Sequence, residues 1–177
     1  MWNFPFDIPA TQGGGPPGAA SLPAFSERAV YFGAFGGISY ALDRDTGKVL
    51  WEREVDVDPN PVYINDQIIT ISGSQTIAAL DAQTGALKWT VPFMDNGIGM
   101  LSSFIFSNEH LIFYASDGDR GQLSVVNIGS GEVVFTLHPD FPRDCRPLLP
   151  VAFAIRGERL YLVTLNCIHS FQASWEE

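Results

Sequence analysis

Three histidines, two cysteines and a set of aspartates are the side chains of this sequence whose types suit chemistry. His110, His138 and His169 are too widely spaced to read as a metal-ligand set, and packing or solvent exposure explains each without catalysis. Asp56, Asp58 and Asn60 carry oxygen ligands at alternate positions, as a calcium loop does. They lack the glycine and the distal glutamate that complete an EF-hand. Asp117 and Asp119, around Gly118, repeat that pattern in shorter form. These five residues are weak calcium candidates, and no other cofactor is expected. Nucleophile elbow, phosphate loop and dinucleotide fingerprint are all missing, so no catalytic residues are assigned. Cys145 and Cys167 are too few for a disulfide framework, and two thiols are the favoured expectation. A bond between them remains sterically open and would indicate an oxidising compartment.

The elements that carry these residues show in a repeat. Ala41-Leu42-Asp43-Arg44-Asp45-Thr46-Gly47-Lys48-Val49-Leu50-Trp51 returns 38 residues later as Ala79-Leu80-Asp81-Ala82-Gln83-Thr84-Gly85-Ala86-Leu87-Lys88-Trp89. A third copy, Val125 to Phe135, has Asn127 for the aspartate, Ser130 for the threonine and Phe135 for the tryptophan. Apolar residues lead into each copy, and an Asp or Asn at the turn entry can bond backbone further along. Gly47, Gly85 and Gly131 then suit a backbone position with positive φ. Each copy is a β-hairpin preceded by two further strand-like segments, for example Gln67 to Ile71 and Pro61 to Ile64. Four strands in about 40 residues is the spacing of a propeller blade.

The pattern A-x-D-x-x-T-G-x-x-x-W resembles the tryptophan-docking repeat of pyrroloquinoline-quinone dehydrogenases and of their non-catalytic relatives, such as the outer-membrane-assembly scaffold lipoprotein. The resemblance implies that Trp51, Trp89 and Phe135 pack between neighbouring blades as structural residues. It also implies rings that typically hold eight blades. A dehydrogenase of this kind would need calcium ligands, a catalytic carboxylate and an aromatic platform at the ring centre, and none can be assigned. Neither cysteine matches the adjacent pair that some quinone dehydrogenases carry over the cofactor.

The expected fold is all-β: a β-propeller with four four-stranded antiparallel blades in one domain over residues 1–177. Blades fall at 21–57, 58–94, 95–138 and 139–174, after a closing strand at 1–8 and a Gly/Pro-rich linker at 9–20. The last blade lacks a fourth strand at its own end. Trp2-Asn3-Phe4-Pro5-Phe6 aligns with Trp89-Thr90-Val91-Pro92-Phe93, which puts Trp2 in the docking position. The N-terminal strand is therefore expected to complete the last blade and remove an open sheet edge. Closing four blades needs about 90° per blade and eight blades about 45°. Docking residues like those of eight-bladed relatives favour a homodimer that shares one ring over a closed monomer.

Long loops collect on one face, at Ile8–Ser21, Val57–Pro61, Met94–Met100, Ser116–Gln122 and Pro139–Leu148. Binding usually sits on such loops. Asp95, Asp117, Asp119, Arg120, Arg143, Asp144 and Arg146 are the partner-binding candidates there, with a protein or peptide as partner. A solvated acidic rim and a calcium site are the competing accounts of the same cluster. A net charge of −10 disfavours nucleic acid, and no apolar run is long enough to span a bilayer. The first residues show no secretory leader. A cytoplasmic protein and a mature periplasmic or extracellular domain without its leader would read alike, which leaves the compartment open.

Overall fold

The computed structural model describes residues 1–4, 22–34, 38–54, 61–72, 75–94, 100–107, 109–117, 120–139, 152–156, 159–163 and 167–172. The chain divides into two compact units, 1–90 and 91–177. Every element among the described residues is a strand. No helix among them is long and apolar enough to cross a membrane.

In the first unit, β1 (Ala24–Phe25), β2 (Ala29–Ala34), β3 (Ile38–Asp43) and β4 (Val49–Glu54) form one sheet in that order. A second sheet contains β5 (Val62–Ile64), β6 (Gln67–Ser72), β7 (Thr76–Asp81) and β8 (Leu87–Pro92), and the unit boundary falls inside β8. β5 and β6 are joined by Asn65 and Asp66 alone, at φ +48° and +56°. Positive φ at both positions marks a type I′ hairpin turn, which Asn and Asp tolerate better than most residues. All six residues of β2 are buried, because the first sheet is covered on both sides. Ala29 and Tyr31 pack with Ala41 and Trp51 against Ile68, Leu80 and Ala82 of the second sheet. Val30 and Phe32 point the other way and cluster with Tyr40, Leu42 and Phe4. Burying large aromatic and branched side chains on both faces contributes about 1.5–3 kcal/mol each.

In the second unit, β9 (Met100–Ser107), β10 (His110–Ser116), β11 (Gly121–Asn127) and β12 (Val133–Leu137) form a four-stranded sheet. β13 (Ala152–Arg156), β14 (Arg159–Val163) and β15 (Ile168–Gln172) form a three-stranded one. Ile112, Tyr114, Leu123 and Val125 pack against Leu160 and Leu162 between them. Tyr114 is fully buried, and a Cβ at position 121 would collide with its hydroxyl, so the ring requires Gly121. Burial pushes the Tyr114 phenol well above its ordinary range.

Among the described residues the fourth sheet has three strands and residues 1–4 are in none; the rest of the expected closing strand, 5–8, lies outside the described residues. Ser116–Gln122 is shorter as a loop than expected: β10 and β11 pair as far as Ser116 and Gly121, which leaves 117–120 between them. One feature was not anticipated. The register of β3 with β4 shifts between Ala41, opposite Trp51, and Leu42, opposite Val49, so Leu50 is an extra residue. In β11–β12 the same shift leaves Val134 extra, between Phe135 and Val133. Such a bulge bends and twists the strand, re-aiming the aromatic that follows it.

Candidate functional site

The repeat motif builds a self-contained turn, and the three copies agree in detail. Asp43 Oδ1 accepts the Thr46 amide at 2.8 Å and the Thr46 hydroxyl at 2.6 Å. Asp81 Oδ1 accepts both Thr84 groups at 2.8 Å, and Asn127 Oδ1 accepts the Ser130 amide at 3.0 Å and hydroxyl at 3.3 Å. Gly47, Gly85 and Gly131 follow at φ +70°, +70° and +76°, each donating its amide at 2.8 Å to the carbonyl of the Asp or Asn. The residue after that Asp or Asn donates its amide to the hairpin before it, to Arg28, Asp66 and Glu109 carbonyls respectively. The Thr46 and Thr84 hydroxyls hold the Asp43 and Asp81 carboxyls below their usual range, as hydrogen bonds to the charged form must. These aspartates are occupied by their own turns.

Beyond the turn, the aromatic of one sheet reaches the next. Trp51 is 5% exposed, and its Nε1 donates at 2.9 Å to the Ala82 carbonyl in the second sheet's turn. A Cβ on Gly85 would lie 2.8 Å from the Trp51 ring, so the indole rests on the glycine. Trp2 repeats this geometry on the first sheet: Nε1 donates to the Arg44 carbonyl at 2.8 Å, and a Cβ on Gly47 would lie 2.6 Å from the ring. Phe4 follows, edge-on to Phe32 and Tyr40 at centroid distances of 6.1 and 5.5 Å. Trp89 is half-buried on β8, and Phe135 packs against the core of the second unit. Arg53 joins Trp51 by donating to the Thr84 carbonyl at 2.7 Å. Comparison of the repeats hides it, because the corresponding residues after Trp2 and Trp89 are Phe4 and Val91.

Of the loop-face candidates, the structure describes Asp117 and Arg120. They close the turn between β10 and β11: the Arg120 amide donates to Asp117 Oδ1 at 2.8 Å, and the Asp117 amide to the Arg120 carbonyl at 3.2 Å. Both residues are exposed. Asp56, Asp58, Asn60, Asp95, Asp119, Arg143, Asp144 and Arg146 lie outside the described residues. Among the described residues, no three His, Cys, Asp or Glu side chains converge as a metal site. The expectation of two thiols is corrected, because Cys167 is disulfide-bonded. The chain's other cysteine, Cys145, lies outside the described residues. Tyr63, on β5, donates to Asp66 Oδ1 at 2.8 Å and stacks on Tyr31, and the bond to Asp66 is the first cause of a phenol pKa pushed up to about 12.

The geometry is that of a repeat scaffold, and comparison with known proteins gives it a family. The family model described as outer membrane protein assembly factor BamB matches residues 34–166. The chain belongs to this family of PQQ-repeat β-propellers. BamB of Yersinia pestis is 26% identical over 149 residues, covering 77% of this chain and 34% of its own. A putative dehydrogenase XoxF of Paracoccus denitrificans is 29% identical over 111 residues, covering 52% of this chain and 18% of its own. The crystal structure of BamB from Moraxella catarrhalis superposes with a TM-score of 0.64 at 19% identity, over 87% of this chain and 46% of that one. At that identity the likeness is one of fold. The chain therefore spans less than half the length of each of these relatives.

Proposed function

We propose that this chain is a non-catalytic propeller scaffold that binds a protein or peptide on the face carrying its longer loops. The observation that supports this most is the use of the repeat residues. Asp, Thr, Gly and Trp are bonded to the turns and to the neighbouring sheet, as a scaffold requires. The match to an assembly factor points the same way. In this reading Trp51 and Trp2 are inter-blade docking residues, the N-terminal strand completes the last blade, and two chains share an eight-bladed ring. Calcium, if bound, would occupy the loops that contain Asp56, Asp58 and Asn60.

An oxidoreductase, or a subunit of one, with a site at the ring centre is the second reading, favoured by the likeness to XoxF. Charge reversal at Asp117, Asp119 and Asp144 tests the leading reading. Partner capture by the immobilised chain should fall selectively in the triple variant, and unchanged capture would sink the loop-face assignment. A spectral shift on adding pyrroloquinoline quinone with calcium would favour the second reading instead.

A further inference from the structure

The outermost strand of the first sheet is an edge. β4 ends the order β1–β2–β3–β4, and among the described residues no strand pairs with its far side. Five of its six residues are exposed, with Trp51 the exception, so the strand is uncovered along its length. Val49 is 46% and Leu50 42% exposed.

The hairpin fixes which backbone groups face outward. The Asp43 amide donates to the Lys48 carbonyl across the turn at 2.8 Å. Alternation then turns the backbone of Ala41 and Ser39 toward β4, opposite Trp51 and Arg53. Tyr40–Glu52 and Ile38–Glu54 are left as the pairs that exchange no backbone bonds. Glu52 and Glu54 therefore direct their N–H and C=O groups away from the sheet. The Glu52 carbonyl takes one donor from its own chain, Arg53 Nη1 at 2.7 Å, and the oxygen's second lone pair is left for a strand. The residues that offer backbone are thus the residues that carry carboxylates. Both side chains are exposed and lie on one face of the sheet, two positions apart.

Equivalent edges in the second and third sheets differ. By the repeat, Glu52 and Glu54 correspond to Thr90 and Pro92 on β8, and to Thr136 and His138 on and just after β12. Pro92 has no N–H to give. Of these three edges, β4 is the one with negative charge at both outward positions.

We infer that β4 is a docking edge for an extended basic segment of a partner protein, which adds to the first sheet as a further strand with Lys or Arg at two alternate positions. A residue that exchanges both backbone bonds with Glu52 stands directly opposite it, side chain beside side chain. The residue two positions away stands opposite Glu54. Lys or Arg at those positions pairs with both carboxylates, while the backbone bonds form whatever the sequence. Apolar side chains at the other end of the segment meet Val49 and Leu50, where the bulge ends the ladder. The same carboxylates reject a second copy of β4. Antiparallel pairing of two such edges would set Glu52 and Glu54 beside their counterparts. The inference concerns a strand edge and holds whether or not the loops bind a partner.

Fluorescence anisotropy on the full chain tests this with a fluorescein-labelled peptide, acetyl-Thr-Val-Lys-Val-Lys-Val-Thr amide. One control peptide carries Glu for both Lys, and the other is N-methylated at both Lys, which keeps the charge and removes the outward N–H groups. The parent peptide should bind, and each control should bind about tenfold more weakly or worse. Glu52→Lys with Glu54→Lys should weaken the parent peptide by about tenfold or more and strengthen the Glu peptide. Both positions are exposed, so circular dichroism of that variant should match the wild type. The control peptides leave the protein unaltered, so they decide the question even where the variant folds poorly. No binding of the parent peptide, equal binding of the N-methylated one, or indifference to the charge reversal would each overturn the inference. Failure of the loop-face reading is seen separately, because charge reversal at Asp117, Asp119 and Asp144 leaves β4 unaltered.

Discussion

The contact of Trp51 with Gly85 can be dissected by a double-mutant cycle. Trp51→Ala removes an almost fully buried indole and its hydrogen bond to the Ala82 carbonyl. A truncation of this kind costs about 3–5 kcal/mol, of which about 1 belongs to the hydrogen bond. Gly85→Ala has two separable penalties. The backbone sits at φ +70°, which costs an alanine about 1–2 kcal/mol whatever surrounds it. The new methyl would also lie 2.8 Å from Trp51 Cδ2 and Cε3, an overlap that costs about 1–3 kcal/mol to relieve. Once the indole is gone, the backbone penalty remains together with a 3.0 Å approach to Arg53 Cγ, from which that flexible side chain can swing away. The double variant should then be less destabilised than the sum of the singles by that overlap, about 1–3 kcal/mol. Urea unfolding read by far-ultraviolet circular dichroism, with a second probe to confirm one transition, measures all four corners. Additivity within about 0.5 kcal/mol would refute the claim that the indole rests on the glycine.

The turn carboxylates make stability depend on acid. Asp43 and Asp81 titrate below the ordinary 3.8, so their contribution is complete above that value and is lost as pH falls through the lower folded values. Asn127 holds the same turn without a charge, so Asp81→Asn should keep the fold and flatten the acid limb of thermal midpoint against pH; an unchanged limb would count against the Thr84 bond as its cause. Gly121→Ala should destabilise by about 1–3 kcal/mol in urea, because buried Tyr114 has nowhere to move. Gly129→Ala, whose methyl would meet only Asn127 Oδ1 at 3.2 Å, should stay within about 0.5 kcal/mol.

The hairpins were readable from residue order because their chemistry is local. An Asp, a Thr or Ser three residues on and a glycine after it satisfy one another inside a single turn, so three copies at matching spacing announce three sheets. The alignment of Trp2 with Trp89 has a related origin, since a repeat exposes an aromatic displaced to the far end of the chain, and Trp2 lies on Gly47 as Trp51 lies on Gly85. Of the loop-face aspartates the structure describes Asp117, whose bond to Arg120 the sequence spacing did not suggest, because it depends on β10 and β11 running on until only 117–120 is left between them.

Other features depend on contacts between residues distant in the chain. The bulges at Leu50 and Val134 appear only in the pairing of two strands, since no residue type marks them. Arg53 reaches Thr84 across two sheets, and Tyr114 requires Gly121 across a hairpin. Cys167 belongs with them, because a disulfide depends on where the folded chain brings its sulfurs. The sequence order thus carried the turns and the family. Side-chain aim and strand offset came from packing, in which each residue's environment is set by chain segments far from it.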